Sequence, residues 1–244
     1  MLRKQLIALL LVSMALSVTV VGPAFALPTA DSLLASYPEL GFALTAAPQD
    51  DPMLTLVNRD HPLSPTFKPE RKTPDVAKKR GADVDMQPEA ALALEAMFLA
   101  AQSEGLSLVA ISGYRSYGKQ KTLYARSVER NGQEKADQMS ARPGASEHQL
   151  GLCMDVSCAS LDNALTSKFA RKAEGKWIAA HCAEYGFIIR YQDGWSSITG
   201  YQGEPWHIRY IGRQHAERLT ALNVPLETYL RYLELLWKRQ AGAQ

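Results

Sequence analysis

Two short stretches of this chain carry residue types suited to holding a divalent cation and hydrolysing a bond beside it. In Ser146-Glu147-His148-Gln149-Leu150-Gly151-Leu152-Cys153-Met154-Asp155, a histidine is followed seven residues on by an aspartate, within an apolar run. In Glu204-Pro205-Trp206-His207, a carboxylate precedes a second histidine. Zinc accepts imidazole nitrogen and carboxylate oxygen, and a catalytic zinc keeps a position for water, whose pKa it lowers to ~7. His148, Asp155 and His207 are therefore read as ligands of one zinc ion. Glu204 is the candidate general base that takes a proton from water and passes it to a leaving amine. Arg115, in the turn Ser112-Gly113-Tyr114-Arg115-Ser116, offers a planar guanidinium that pairs with a carboxylate or a developing oxyanion.

From spacing alone neither half of this constellation is specific. A histidine among apolar residues is commonly a hydrogen-bonded structural group. His181 and His215 are read that way, and His61 as solvent-exposed. Asp155 is harder to dismiss, because a carboxylate between Met154 and Val156 is costly to bury unless paired or metal-bound. Arg115 has an alternative as a surface ion pair. One geometric condition must also hold. Residues three apart on a regular strand face opposite ways, so Pro205 must interrupt the ladder for Glu204 and His207 to point into one site.

The elements that must position these residues follow from periodicity. Met53 to Asn58 reads as a strand entering the domain. A loop with Pro62, Pro65, Pro69 and Pro74 follows, wrapping over a surface. Pro88 and Glu89 open a helix with Leu92, Leu94, Met97, Phe98 and Ala101 at helical spacing, ended by Gly105. Leu106 to Ile111 is a strand leading to Arg115. Helices are expected over Lys119 to Arg130, Glu134 to Met139 and Lys168 to Tyr185. Strands are expected at Phe187 to Tyr191 and Trp206 to Ile211, followed by helices from Gln214 to Leu222 and from Pro225. The sum is an α+β domain with a small, mainly antiparallel sheet flanked by helices.

The chain has 244 residues and a formal charge of +2, so no basic surplus points to nucleic acid. Residues 1–26 read as a signal peptide: Arg3 and Lys4 precede an apolar run, Gly22-Pro23 breaks it, and Ala24-Phe25-Ala26 fits a cleavage site. An uncleaved membrane anchor is the alternative. Either way the working domain is expected beyond the cytoplasmic membrane: secreted, periplasmic or associated with the cell wall. Residues 27–52 read as a lead-in and 53–238 as the catalytic domain. Export permits disulfides. Of the three cysteines, Cys158 and Cys182 are placed to meet and Cys153 reads as a small buried residue, three reduced thiols being the alternative.

Together these residues resemble the VanY-type D-alanyl-D-alanine carboxypeptidases, zinc peptidases of bacterial cell-wall metabolism. The likeness rests on Ser112 to Ser116, on Ser146-x-His148-x-x-Gly151-x-x-x-Asp155, and on Glu204-Pro205-Trp206-His207 followed by Arg209-Tyr210. Gly175-Lys176-Trp177, Tyr185-Gly186-Phe187 and Thr199-Gly200-Tyr201 link them. The resemblance spans roughly Leu54 to Leu230.

It implies the hedgehog/D-Ala-D-Ala-peptidase-like fold and one Zn²⁺ per chain on His148, Asp155 and His207. It makes Glu204 the general base and acid and puts Arg115 on the substrate and oxyanion. Ser146 and Gln120 stand where family members contact the peptide end. Cys153 stands where such proteins usually have a small residue such as alanine. The implied substrate is a peptidoglycan stem peptide that loses its terminal D-alanine. An L,D-carboxypeptidase, an endopeptidase or a non-catalytic zinc-containing cell-wall binding module is the alternative. No stable protein partner is called for, and a monomer is expected.

Overall fold

The computed structural model describes residues 27–37 and 44–242, so the expected signal segment lies outside the described residues. Four strands form the sheet: β1 (Leu108–Ser112), β2 (Cys153–Cys158), β3 (Phe187–Tyr191) and β4 (Glu204–Tyr210). Their order is β1-β2-β4-β3 and every neighbouring pair is antiparallel. The helices are α1 (Ala30–Ser36), α2 (Pro88–Ser103), α3 (Tyr117–Asn131), α4 (Gln133–Met139), α5 (Glu147–Leu150), α6 (Ala173–His181), α7 (Ser196–Thr199), α8 (Arg213–Leu222) and α9 (Leu226–Gly242). Among the described residues no helix is long and apolar enough to cross a membrane.

The sheet separates a core from a site. Side chains alternate along a strand. Met154, Val156 and Cys158 of β2, with Ile208 and Tyr210 of β4, join Leu94, Met97 and Phe98 of α2 and Trp177 and Ile178 of α6 in one buried cluster. The alternate residues, Cys153, Asp155, His207 and Arg209, face the other way, and all four are buried. Of the apolar residues expected on the inner face of α2, Leu92 is exposed. A second cluster joins Ile188 to Tyr229, Tyr232, Leu233 and Leu236 of α9. Ala30 and Leu33 of α1 belong to it, so the lead-in packs against the body. Thr29 caps α1, its hydroxyl accepting from Ser32 N at 3.2 Å.

Two expected elements differ. Met53 to Asn58 is not a strand: Pro52–Leu54 is a 3₁₀ turn and the rest is irregular. Its carbonyls serve a different partner, since Arg209 Nη2 donates to Met53 O and Thr55 O, both at 2.9 Å. The expected helix from Lys168 to Tyr185 is broken into a 3₁₀ turn (Ser167–Arg171), α6 and a second 3₁₀ turn (Cys182–Tyr185). Lys172, extended at φ −76° and ψ 157°, makes the first break. There the chain doubles back so tightly that a Cβ on Gly175 would overlap the Phe169 carbonyl oxygen. Gly175→Ala is expected to cost about 1–3 kcal/mol, because a backbone carbonyl cannot swing aside. A lower urea midpoint at unchanged m would show it.

The three cysteines are free and buried, as in the reduced alternative. Cys158 lies against Ser160 at 3.3 Å, and burial pushes the Cys182 thiol up to about 12.

Candidate active site

Asp155 sits on the second strand of the sheet, directly opposite His207 of β4 and beside Ser112 of β1. His148 arrives from α5, a single turn closed by Gly151 in the left-handed region at φ 77°. The Asp155 carboxylate lies between the two rings, Oδ2 at 3.3 Å from His148 Nε2 and Oδ1 at 3.0 Å from His207 Nδ1. The three side chains are nearly inaccessible.

The far nitrogens of both rings are committed. His148 Nδ1 is 2.7 Å from Gly113 O, and a carbonyl only accepts, so Nδ1 carries the proton. His207 Nε2 is 3.3 Å from Glu147 Oε2, which is placed to accept its proton. With the proton of each neutral ring on these far nitrogens, His148 Nε2 and His207 Nδ1 turn lone pairs toward the Asp155 carboxylate. Three acceptors facing one another in a buried space require a cation or extra protons. Without a metal, protons take that role: burial alone would lower His148, but the neighbouring Cys153 and Asp155 outweigh it and raise it to about 9. His207 is raised as well, while Asp155 is held below the ordinary carboxylate range by the two imidazoles despite its burial. Two imidazoles, each braced from behind, and one carboxylate fit zinc.

Glu204 enters from the start of β4. Ile189 pairs with Ile208, yet Tyr191 pairs with Glu204, so two steps along β3 span four along β4. This irregularity lies across Pro205 and meets the condition set by the sequence: Glu204 and His207 line the same cavity of about 270 Å³. Burial pushes the Glu204 carboxyl above its ordinary value, and nearby Asp155 adds to the rise against the opposing pull of His207.

Arg115, Gln120 and Ser146 line that cavity too. The backbone N–H of Arg115 donates to His148 O at 3.0 Å, tying the turn after β1 to the ligand helix. Its guanidinium donates to Gln120 Oε1 at 2.9 Å and to Ser112 Oγ at 3.0 Å. Gln120 in turn donates through Nε2 to Ala141 O at 2.6 Å. Gln120 thus holds Arg115 in place, and its own amide is engaged on both sides. Arg115→Lys is expected to lower kcat/KM by roughly 10²–10³, since an ammonium keeps the charge but loses the fork. Steady-state kinetics at unchanged zinc content would check this.

Sequence reasoning missed Glu147. It is fully enclosed, with Oε1 accepting from Arg190 Nε at 2.8 Å and from Arg209 Nη1 at 3.0 Å. Arg190 also reaches Glu227 of α9 through Nη2 at 2.6 Å and Nη1 at 3.0 Å. Burial would raise the Glu147 carboxyl, but the two guanidiniums hold it well below the usual range. A carboxylate next to a ligand histidine was the only signal available. His181 and His215 are structural as expected, paired with Glu184 at 2.9 Å and Tyr229 at 2.9 Å, and His61 is exposed beside Asn58.

The family model of the VanY D-alanyl-D-alanine carboxypeptidases matches residues 83–213. The chain is 35% identical over 182 residues to the bifunctional D-Ala-D-Ala dipeptidase and D-Ala-D-Ala carboxypeptidase VanXYC of Enterococcus gallinarum, covering 74% of this chain and 94% of that one. It is 41% identical over 181 residues to YodJ of Bacillus subtilis (strain 168), covering 72% of this chain and 66% of that one, just under two thirds of YodJ's length. Among solved structures, the LdcB LD-carboxypeptidase superposes with a TM-score of 0.71 at 40% identity, over 75% of this chain and 88% of that one. The D,D-pentapeptidase VanY from a VanB-type resistance cassette, in complex with Zn(II), gives a TM-score of 0.63 at 28% identity, over 73% of this chain and 99% of that one. With a family model matched over more than half of its length and 35% identity along nearly the whole of VanXYC, the chain belongs to the VanY family of D-alanyl-D-alanine carboxypeptidases.

Proposed function

We propose that this chain is a zinc-dependent carboxypeptidase that removes the C-terminal D-alanine from peptidoglycan stem peptides. The observation that carries the reading is the Asp155 carboxylate, set 3.3 Å and 3.0 Å from two imidazole nitrogens whose partners leave them lone pairs to share. His148, Asp155 and His207 would hold the zinc. When bound, it supplies a Lewis acid and lowers the pKa of water to ~7. The substrate's C-terminal end enters the cavity toward Arg115. Glu204, half-buried beside the ligands, accepts the proton of the attacking water and returns it to the departing amine. Arg115 donates to the oxyanion as charge builds on the carbonyl oxygen. Ser146, at the start of α5 on the cavity wall, contacts the peptide end, and Gln120 keeps the guanidinium aimed.

One measurement tests this: D-alanine release from a defined pentapeptide stem, before and after chelation. Release that stops with chelator and returns with added zinc is expected; release indifferent to chelator would overturn the reading.

The likeness to the LdcB LD-carboxypeptidase, at 40% identity, supports a second reading in which the bond cut is the L,D linkage of a tetrapeptide. Product masses from pentapeptide and tetrapeptide stems, offered side by side, separate the two. Such substrates lie outside the cytoplasmic membrane, which agrees with export directed by residues 1–26. Finding the processed chain in the exported fraction would support that placement.

A further inference from the structure

The sulfur of Cys153 stands beside the two imidazoles of this site. Strand alternation places Cys153 on the face of β2 that carries Asp155. Its Sγ and one nitrogen each of His148 and His207 lie within 4.8 Å of one another. Cys153 is fully buried and free of any disulfide. The other two thiols are elsewhere: Cys158 points into the core on the opposite face of β2, and Cys182 lies in that core as well. Arg115 and Glu204 line the cavity and Cys153 does not. The sulfur therefore approaches the ligands from the protein side and leaves the substrate side open.

We propose that Cys153 is a fourth protein donor of this metal centre, binding the ion as thiolate alongside His148, Asp155 and His207, with water as a fifth ligand on the open substrate side. This rests on the zinc-site reading above. The thiol gives up its proton to solvent as the ion binds. A soft sulfur donor favours thiophilic ions, and a second anionic ligand offsets the remaining positive charge. The centre therefore holds Cd²⁺ and Zn²⁺ more tightly than the same site with two imidazoles and one carboxylate, and the ion it holds is a weaker Lewis acid.

The test uses the full chain loaded with Co²⁺. Visible d–d bands report that cobalt occupies the site. A near-ultraviolet thiolate-to-cobalt charge-transfer band is expected in the unaltered protein and absent in Cys153→Ala, where the small side chain suits the buried position. Cys153→Ser, closer in volume, is expected to lose the band too. In competition with a chelator, Cys153→Ala is expected to bind Cd²⁺ about tenfold or more weakly, equivalent to ~1.4 kcal/mol. Visible bands with no charge-transfer band would overturn the thiolate ligand and leave the zinc site standing. Equal Cd²⁺ affinity in the two proteins would also overturn it. Failure to take up cobalt at all would overturn the site reading itself, and the fourth donor with it.

Discussion

Replacing Glu204 with glutamine is expected to lower kcat for D-alanine release by about 10²–10⁴-fold, with fold and zinc content unchanged. Glutamine keeps the shape of the side chain and one acceptor oxygen but cannot accept and return a proton. The position favours such a role, because burial raises the Glu204 carboxyl above its ordinary value, closer to the pH at which proton transfer works in both directions. The sign of the pH dependence follows. The base must be ionised to act, so kcat/KM in the unaltered protein falls as pH drops through a value above the ~4.3 of free glutamate. The Glu204→Gln protein is expected to lose that acid limb along with its rate. Steady-state kinetics across pH, with zinc measured on the same samples, check both. A variant that keeps its rate would remove Glu204 from the reaction.

Replacing Glu147 with alanine is expected to destabilise the fold by about 3–5 kcal/mol, because it leaves buried charge uncompensated. Arg190 would keep Glu227, but Arg209 would be left with carbonyl oxygens alone: Tyr210 O at 3.0 Å and Met53 O and Thr55 O at 2.9 Å. The same change removes the acceptor behind His207 Nε2, which fixes the ring with Nδ1 toward Asp155. Metal affinity is therefore expected to fall by roughly 10–100-fold in whatever remains folded. Urea unfolding measures the first effect and chelator competition the second. Linkage adds a pH signature. The folded Glu147 carboxyl is depressed because Arg190 and Arg209 outweigh its burial. Its contribution is thus present above the ordinary ~4.3 and fades as pH falls from there toward the native value. Unaltered stability and metal affinity in Glu147→Ala would show that the buried network does not brace the site.

Local chemistry wrote much of the molecule into the chain. Pro88 and Glu89 start α2, alternation marks β1, an apolar β-rich run marks β3, and the donor types of His148, Asp155 and His207 suit a zinc ion. Pro205 signalled that β4 would not run regularly, and the pairing of Tyr191 with Glu204 is where that irregularity falls. These signals act within a few residues, where propensity and steric restriction operate. Tertiary structure decided the rest. Met53 to Asn58 has the composition of a strand, but the buried guanidinium of Arg209 takes its carbonyls from more than 150 positions away. Lys168 to Tyr185 reads as one helix, yet extended Lys172 breaks it where Gly175 packs against Phe169, and a 3₁₀ turn replaces its last residues from Cys182. Glu147 looks like a surface acid and becomes the buried counter-ion of Arg190 and Arg209, which lie 43 and 62 residues further along. Burying charge makes its partners obligatory wherever they lie in the chain, so where these groups would pair was settled only when the sheet and α9 closed around them.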